Sequence, residues 1–297
     1  MKNFASYIFI LTLLIGCHSS AEEVVHGTAD LFERGRAMGK APELINEASG
    51  LAASIVNEGS MWTHNDSGGL PRVFLINENA KLQAIVTLDG VENRDWEDIV
   101  VGSGPEAGKS YVYISETGDN EGRHTTKYIY MFEEPVIDSI GNEPSAITIF
   151  EFTRIAIEYP DGKRDAETLF IDNHTNDLYI ISKREANVNV YIAKYPQLTN
   201  KVNILTKLGS LPYHNVVAGE ISLNGEILLK TYDNVYYWKI EKEENIHQTL
   251  SRQPTILSYK PEPQGESITW KRDGSGFFTL SERNGSIVPD LLFYKRN

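Results

Sequence analysis

Glu97, Glu167, Glu220 and Glu266 each stand at the head of a short apolar run, in the segments WEDIVVG (96–102), AETLFID (166–172), GEISLNG (219–225) and GESITWK (265–271). A fifth segment, ASGLAAS (48–54), carries Ser49 at the same place, and the steps between these positions are 48, 70, 53 and 46 residues. Two residues ahead of the shared position stand Glu47, Asp95 and Asp165, whereas Asp98 has no acidic counterpart and reads as solvated or backbone-bonded. If the five segments converge, their carboxylates repel one another. At about 5–6 Å and an effective dielectric near 20, each like-charge pair costs roughly 3 kcal/mol. Such a ring must take up protons, pair with Lys and Arg, or bind a cation. All-oxygen ligands suit Ca²⁺ better than zinc, which prefers His and Cys, and the chain has no HExxH or paired Cys. Ser49, Glu47, Glu97, Glu167, Glu220 and Glu266 are therefore the candidate calcium ligands. The alternative is structural: a glutamate at a strand start could accept backbone N–H bonds from the next unit and knit the units together.

A second polar set follows 13 to 22 residues downstream of each head. It comprises Asp66, Asp119, Glu185, Asp233 and Glu282, each at the end of a second apolar run. Asp66, His64 and Asp119 are the candidate catalytic groups, with a carboxylate placed to activate water if the mouth carries a reaction. Lys183, Arg184, Lys230, Arg283 and Arg72, with Arg123 and His124, are expected on the same rim. They could hold a phosphate, carboxylate or sugar acid beside the metal, or neutralise the acidic ring. WTHNDSGG (62–69) contains His, Asp and Ser but lacks the G-x-S-x-G elbow of a hydrolase nucleophile, and its SGG reads as a turn.

The elements that would position these groups are strands. Helix signals are scarce, and short apolar alternations are broken by Gly, Asn, Asp and Pro. Each head is followed by a second strand (60–68, 110–120, 177–185, 226–234, 276–284) and a third rich in aromatic and β-branched residues (72–77, 127–135, 189–196, 234–240, 291–297). A fourth follows in the first four units, as at 81–88 and 146–152. Four-stranded units at this spacing predict a five-bladed β-propeller, with six blades as the alternative because of the 70-residue step. The last unit lacks its outer strand, which LFERGRAM (31–38) could supply, closing the ring and removing a free edge. Tyr191, Tyr236, Trp238 and Tyr294 of the third strands are expected to pack between blades. One propeller domain is read over 31–297, after a signal (1–17) and a tether (18–30).

With 28 basic against 41 acidic residues, the chain is poorly suited to nucleic acid. Lys2, the apolar run Phe4–Ile15 and Cys17, the single cysteine, resemble a bacterial lipoprotein signal in which the cysteine is lipidated. The resemblance implies export and a membrane contact through the lipid alone. His18 in place of Asp after the cysteine points to the outer membrane, with the periplasm or cell surface as the wider compartment. No other apolar run is long enough to span a bilayer. A chain with one cysteine forms no internal disulfide.

WTHNDSGG, DWEDI, GDN, YPDGKRDAETLFID and QGESITW together resemble a widespread family of exported bacterial propeller proteins, over about residues 43–285. That resemblance implies fold and export, not a reaction. More distantly, the repeated pattern is similar to calcium-dependent propeller enzymes. The calcium-activated nucleotidases (apyrases) are five-bladed with a cation in the channel, and the propeller phytases and gluconolactonase-like lactonases are six-bladed. What this resemblance implies is Ca²⁺ at the hub, a small anionic ligand and, for an enzyme, calcium-dependent phosphoester or phosphoanhydride hydrolysis in which the ion polarises the phosphoryl oxygens. The rival reading is a non-catalytic binding or scaffold propeller with a structural metal or a backbone-paired acidic channel, and a protein partner is the alternative to a small anionic ligand.

Overall fold

The computed structural model describes residues 30–138 and 143–297. The segment read as an export signal, Cys17 and almost all of the expected tether lie outside the described residues. β1 (Arg36–Lys40) precedes the first blade, which is β2 (Ala48–Ala53), β3 (Ser60–Asn65), β4 (Arg72–Asn77) and β5 (Leu82–Leu88). The second blade begins with β6 (Asp98–Ser103), β7 (Ser110–Glu116) and β8 (Thr126–Glu133). β9 (Ser145–Ile149) and β10 (Thr153–Glu158) follow. The third blade is β11 (Ala166–Ile171), β12 (Leu178–Ser182), β13 (Val188–Ala193) and, after the two-residue β14 (Asn203–Ile204), β15 (Thr206–Leu211). The fourth is β16 (Val216–Ile221), β17 (Glu226–Thr231), β18 (Val235–Lys239) and, after the short helix α1 (Ile246–Leu250), β19 (Thr255–Leu257). The fifth is β20 (Ser267–Trp270), β21 (Gly276–Leu280) and β22 (Asp290–Lys295), with β1 as its outer strand.

The innermost strands touch in the cyclic order β2, β6, β11, β16, β20 and back to β2. The fold is thus a five-bladed β-propeller, and the six-bladed alternative falls. The long step between the second and third heads has a different cause. The segment at 146–152 is not the fourth strand of the second blade. β9 instead pairs in parallel with β5 of the first blade, and β10 takes the fourth place in the second. The surplus residues make a strand that is lent to the neighbour, not an extra blade.

Each blade buries both faces, so alternation along a strand decides which neighbour a side chain meets rather than whether it is buried. In β7, Tyr111 and Tyr113 join the core shared with the third blade, whereas Val112 and Ile114 join the core shared with the first. Five such cores fill the five gaps between adjacent blades. Tyr191, Trp238 and Tyr294 lie buried in these gaps, with Tyr236 packed at the margin of one.

Polar struts cross the gaps near the channel. Ser49 Oγ donates to the Glu97 carbonyl at 2.7 Å, and Thr117 Oγ1 donates to the Ala166 carbonyl at 2.7 Å. Asp98 accepts the Leu169 amide of the next blade at 2.8 Å and the Ile99 amide at 2.9 Å, so it is backbone-bonded, not solvated. At the closing seam, Phe32 bridges Arg296, Glu33 N–H donates to the Lys295 carbonyl at 2.7 Å, and β1 pairs antiparallel with β22. The closing strand thus overlaps the segment 31–38 at residues 36–38 and runs on to Lys40, with Phe32 and Glu33 as its lead-in.

Phe32 is buried, meets Phe277 edge-on at 5.0 Å and lies under the Arg296 guanidinium at 4.9 Å. Phe32→Ala should lower stability by about 3–5 kcal/mol, the usual cost of emptying a buried aromatic site. A denaturant titration reads this directly, and a loss below about 1 kcal/mol would show that the seam does not depend on this ring.

Candidate functional site

The starts of the inner strands and the ends of the second strands surround one mouth of the channel. Asp95 and Glu97 precede β6, Asp165 and Glu167 sit at the start of β11, and Glu266 precedes β20. Asp66 follows β3 and Glu282 follows β21. The β2, β11 and β16 starts carry a bulge, which frees a residue from the ladder pairing and re-aims its side chain. In β11 that residue is Glu167.

Two overlapping acidic groups result. Oxygens of Asp66, Asp95 and Glu97 lie within 4.8 Å of one another, and so do oxygens of Glu97, Asp165 and Glu167. Glu97 belongs to both. It and Glu167 are each only 3% exposed, and Glu167 Oε2 is buried without a hydrogen-bond partner. Gly118, in the GDN motif, leaves the room these groups occupy: a methyl group there would overlap Glu97 Oε1 and the Asp95 carboxyl. Sequence reasoning assigns Gly118 no role, because only the three-dimensional approach of the 95–97 segment reveals the need for a missing side chain.

Two cations are ion-paired to this set among the described residues. Lys183 Nζ bonds Glu167 Oε1 and lies 3.4 Å from Glu266 Oε1, while the Tyr232 hydroxyl also donates to that Glu266 oxygen. Arg184 Nε pairs with Asp165 Oδ2 at 2.6 Å, and Asp165 Oδ1 accepts the Asp119 amide at 2.8 Å. Negative charge remains in excess. Burial, and then the charges of Asp95, Glu266 and Glu47, push the Asp66 carboxyl up to about 7. Burial followed by Glu266 and Asp66 pushes Glu282 up to about 8. Glu97 is raised well above the carboxylate range by burial and then by Glu167, Asp66, Asp95 and Asp165. Glu167 is raised by burial against the pull of Lys183. Lys183 stays charged: burial works against its ammonium, but Glu167 and Glu266 more than offset it.

The remaining sequence-derived candidates fall elsewhere. Glu220 is not part of this ring. β16 starts at Val216, so the bulge residue matching Glu167 is Val217, and Glu220 lies near the far end of the strand. There its carboxylate accepts the Trp270 amide and the Thr269 hydroxyl of the next blade, the structural role weighed for such glutamates. The Gly-Glu pair imitates a strand start although the strand has already run four residues. Ser49 spends its hydroxyl on the Glu97 carbonyl, and Glu47 stands exposed outside the buried groups.

His64 is fully buried, edge-on to Trp96 at 5.8 Å, with Nδ1 on the Asn65 carbonyl at 3.0 Å. Burial pulls it down to about 4, so it is neutral and walled off from the mouth. Asp119 is locked by Lys127 Nζ at 2.8 Å and by the amides of Arg123 and His124. Those bonds overcome burial and hold it below the usual carboxylate range. Lys230 is fully buried against the Gly265 carbonyl and the Tyr259 ring. The half-buried Arg72 and Arg283 bond no residue of the acidic groups, and Arg123 pairs with Glu121. Glu185 is bound to Arg164 and Ser182, and Asp233 is exposed.

The electrostatics carry a pH signature. Asp66 and Glu282 hold protons more tightly folded than unfolded, so their contribution to stability is full below the ordinary carboxylate range and is lost as pH rises through about 7 and 8. The cation-free protein should therefore melt several degrees lower at pH 8.5 than at pH 5.5 in chelator. A melting temperature that rises over this interval would show that these carboxylates do not share a desolvated mouth.

No protein-family model matches the chain, and no curated protein does. Among solved structures it is similar to "Structure of U3-55K", at 8% identity and a TM-score of 0.41, covering 83% of this chain and 80% of that one. It is also similar to "Crystal structure of RRP9 WD40 repeats", at 8% identity and a TM-score of 0.41, covering 83% and 79%. Likeness at that level says nothing of activity, so what can be concluded of this chain is a five-bladed propeller with a carboxylate-lined mouth.

Proposed function

We propose that the chain is an envelope-anchored binding propeller whose acidic mouth holds one Ca²⁺ ion, through Asp66, Asp95, Glu97, Asp165 and Glu167. The observation that carries this reading is Glu167 Oε2, a buried carboxylate oxygen with no protein partner, in a side chain whose carboxylate is grouped with those of Glu97 and Asp165. A buried acceptor left unsatisfied is costly. A hard cation satisfies it and lifts the repulsion that raises Glu97. The donor set is all oxygen, which favours Ca²⁺ over zinc. The excess carboxylates at the rim leave room for an anionic ligand only once the cation is present.

Binding is favoured over catalysis. Of the three candidate catalytic groups, His64 and Asp119 are committed to packing and to Lys127. Asp66 alone remains partly exposed with an unpartnered oxygen, so hydrolysis of a phosphoester would rest on it as the sole base. The placement at the membrane rests on the Phe4–Ile15 run and Cys17.

Millimolar Ca²⁺ added to the chelated mature protein should raise its melting temperature by several degrees, since stabilisation grows with ligand concentration over Kd. Glu97→Gln, Glu167→Gln and Gly118→Ala should each remove most of that shift. No shift in the unmodified protein sinks the cation reading. Separately, Cys17→Ala should move the protein from the membrane to the soluble fraction; continued membrane partition would count against lipidation.

A further inference from the structure

Glu167 is shared by an ion pair and an acidic group. Its Oε1 bonds the Lys183 ammonium, its Oε2 is buried without a hydrogen-bond partner, and one of its carboxylate oxygens lies within 4.8 Å of oxygens of Glu97 and Asp165. On the Lys183 side, Glu266 Oε1 approaches the ammonium at 3.4 Å, Tyr232 donates to the same oxygen, and the Tyr232 ring lies 5.3 Å from Nζ. The Lys183 side chain is only 7% exposed, and those of Glu167 and Glu266 are 4% and 6%. The ammonium is therefore inside the ring of carboxylates, in a place where oxygen ligands from two blades already converge on a positive charge. On the other side, no side-chain cation is paired with Glu97, Asp66 or Asp95 among the described residues.

We infer that Lys183 is a built-in cation: its ammonium fills one of two adjacent cation positions in the mouth, and so limits the propeller to a single divalent ion. This rests on the cation-binding reading proposed above and goes further, because it assigns the stoichiometry to one side chain. An ammonium carries a single charge on a covalent tether, so it neutralises Glu167 and Glu266 at any calcium concentration. The same charge repels a second divalent ion from the neighbouring position. Removing it leaves two buried carboxylates, a hydroxyl and a vacated volume, a hard-cation site of the same chemistry as the first.

The test is calcium stoichiometry by isothermal titration and by equilibrium dialysis on the chelated mature chain. The unmodified protein should bind one Ca²⁺ per chain and Lys183→Met two, whereas Lys183→Arg, which keeps the charge, should stay at one. Lys183→Met leaves like charges buried, so in chelator it could be unfolded. In that event calcium should restore the folded circular dichroism spectrum, with two ions bound. One ion in both the unmodified protein and Lys183→Met overturns the inference while leaving the cation reading intact. So do two ions in the unmodified protein, or Lys183→Met that stays unfolded in about 10 mM Ca²⁺, roughly a hundredfold over a Kd of ~10⁻⁴ M. No ion bound to the unmodified protein overturns the cation reading itself, and the inference falls with it.

Discussion

Closure of the ring of inner strands is the constraint on which everything else depends. Five strands that must each touch two neighbours have their starts drawn around one narrow mouth. Any residue type repeated at those starts is then concentrated there. Here the repeated type is acidic, and the mouth is dry enough that Glu97 and Glu167 are almost wholly buried. Repulsion between them is a direct consequence of the ring. The fold tolerates it because the five apolar cores between blades supply the cohesion, and none of them depends on the charges.

The molecule treats its acidic residues in two ways. Some act as struts. Asp98 and Glu220 each accept a backbone amide from the following blade, at opposite ends of the channel, so they join blades that share few backbone hydrogen bonds. Others are left facing one another. Asp66, Asp95 and Glu97 receive no ion pair among the described residues, and Glu167 is satisfied on one oxygen only. A buried polar network that is partly satisfied is unfavourable in proportion to what it lacks. Carboxylates outnumber the cations paired with them here, and the absence of a side chain at Gly118 gives Glu97 and Asp95 their room.

Compensation is local. Lys127 is fully buried yet serves only Asp119 and the Gly118 carbonyl, and this holds the loop that carries Gly118. Arg184 reaches in from the surface to Asp165. Lys183 alone enters the ring. Lys183 and Arg184 are thus ion-paired to carboxylates of the mouth, while Lys230 is buried against a backbone carbonyl, so these basic residues are spread over separate contacts.

Much of the architecture is written in the sequence. Alternating apolar runs between turn residues specify strands, their repetition specifies blades, and the missing last strand specifies closure from the N-terminal side. The repeat also brings Glu97, Glu167 and Glu266 correctly to one mouth, because a ring of similar units puts equivalent positions together. Register is where it stops. Glu220 sits four residues into β16, and a Gly-Glu pair at a strand's end looks the same in sequence as one at its start. The strand lent from the second blade to the first is likewise invisible, since a parallel edge pairing leaves no local signal. His64 looks accessible in WTHND and is buried by Trp96 from another blade. Which carboxylate meets a lysine and which meets another carboxylate is set by distances across the channel. Those distances depend on how the blades tilt and bulge, so only the tertiary structure decides that Lys183 neutralises one side of Glu167 and leaves the other side open.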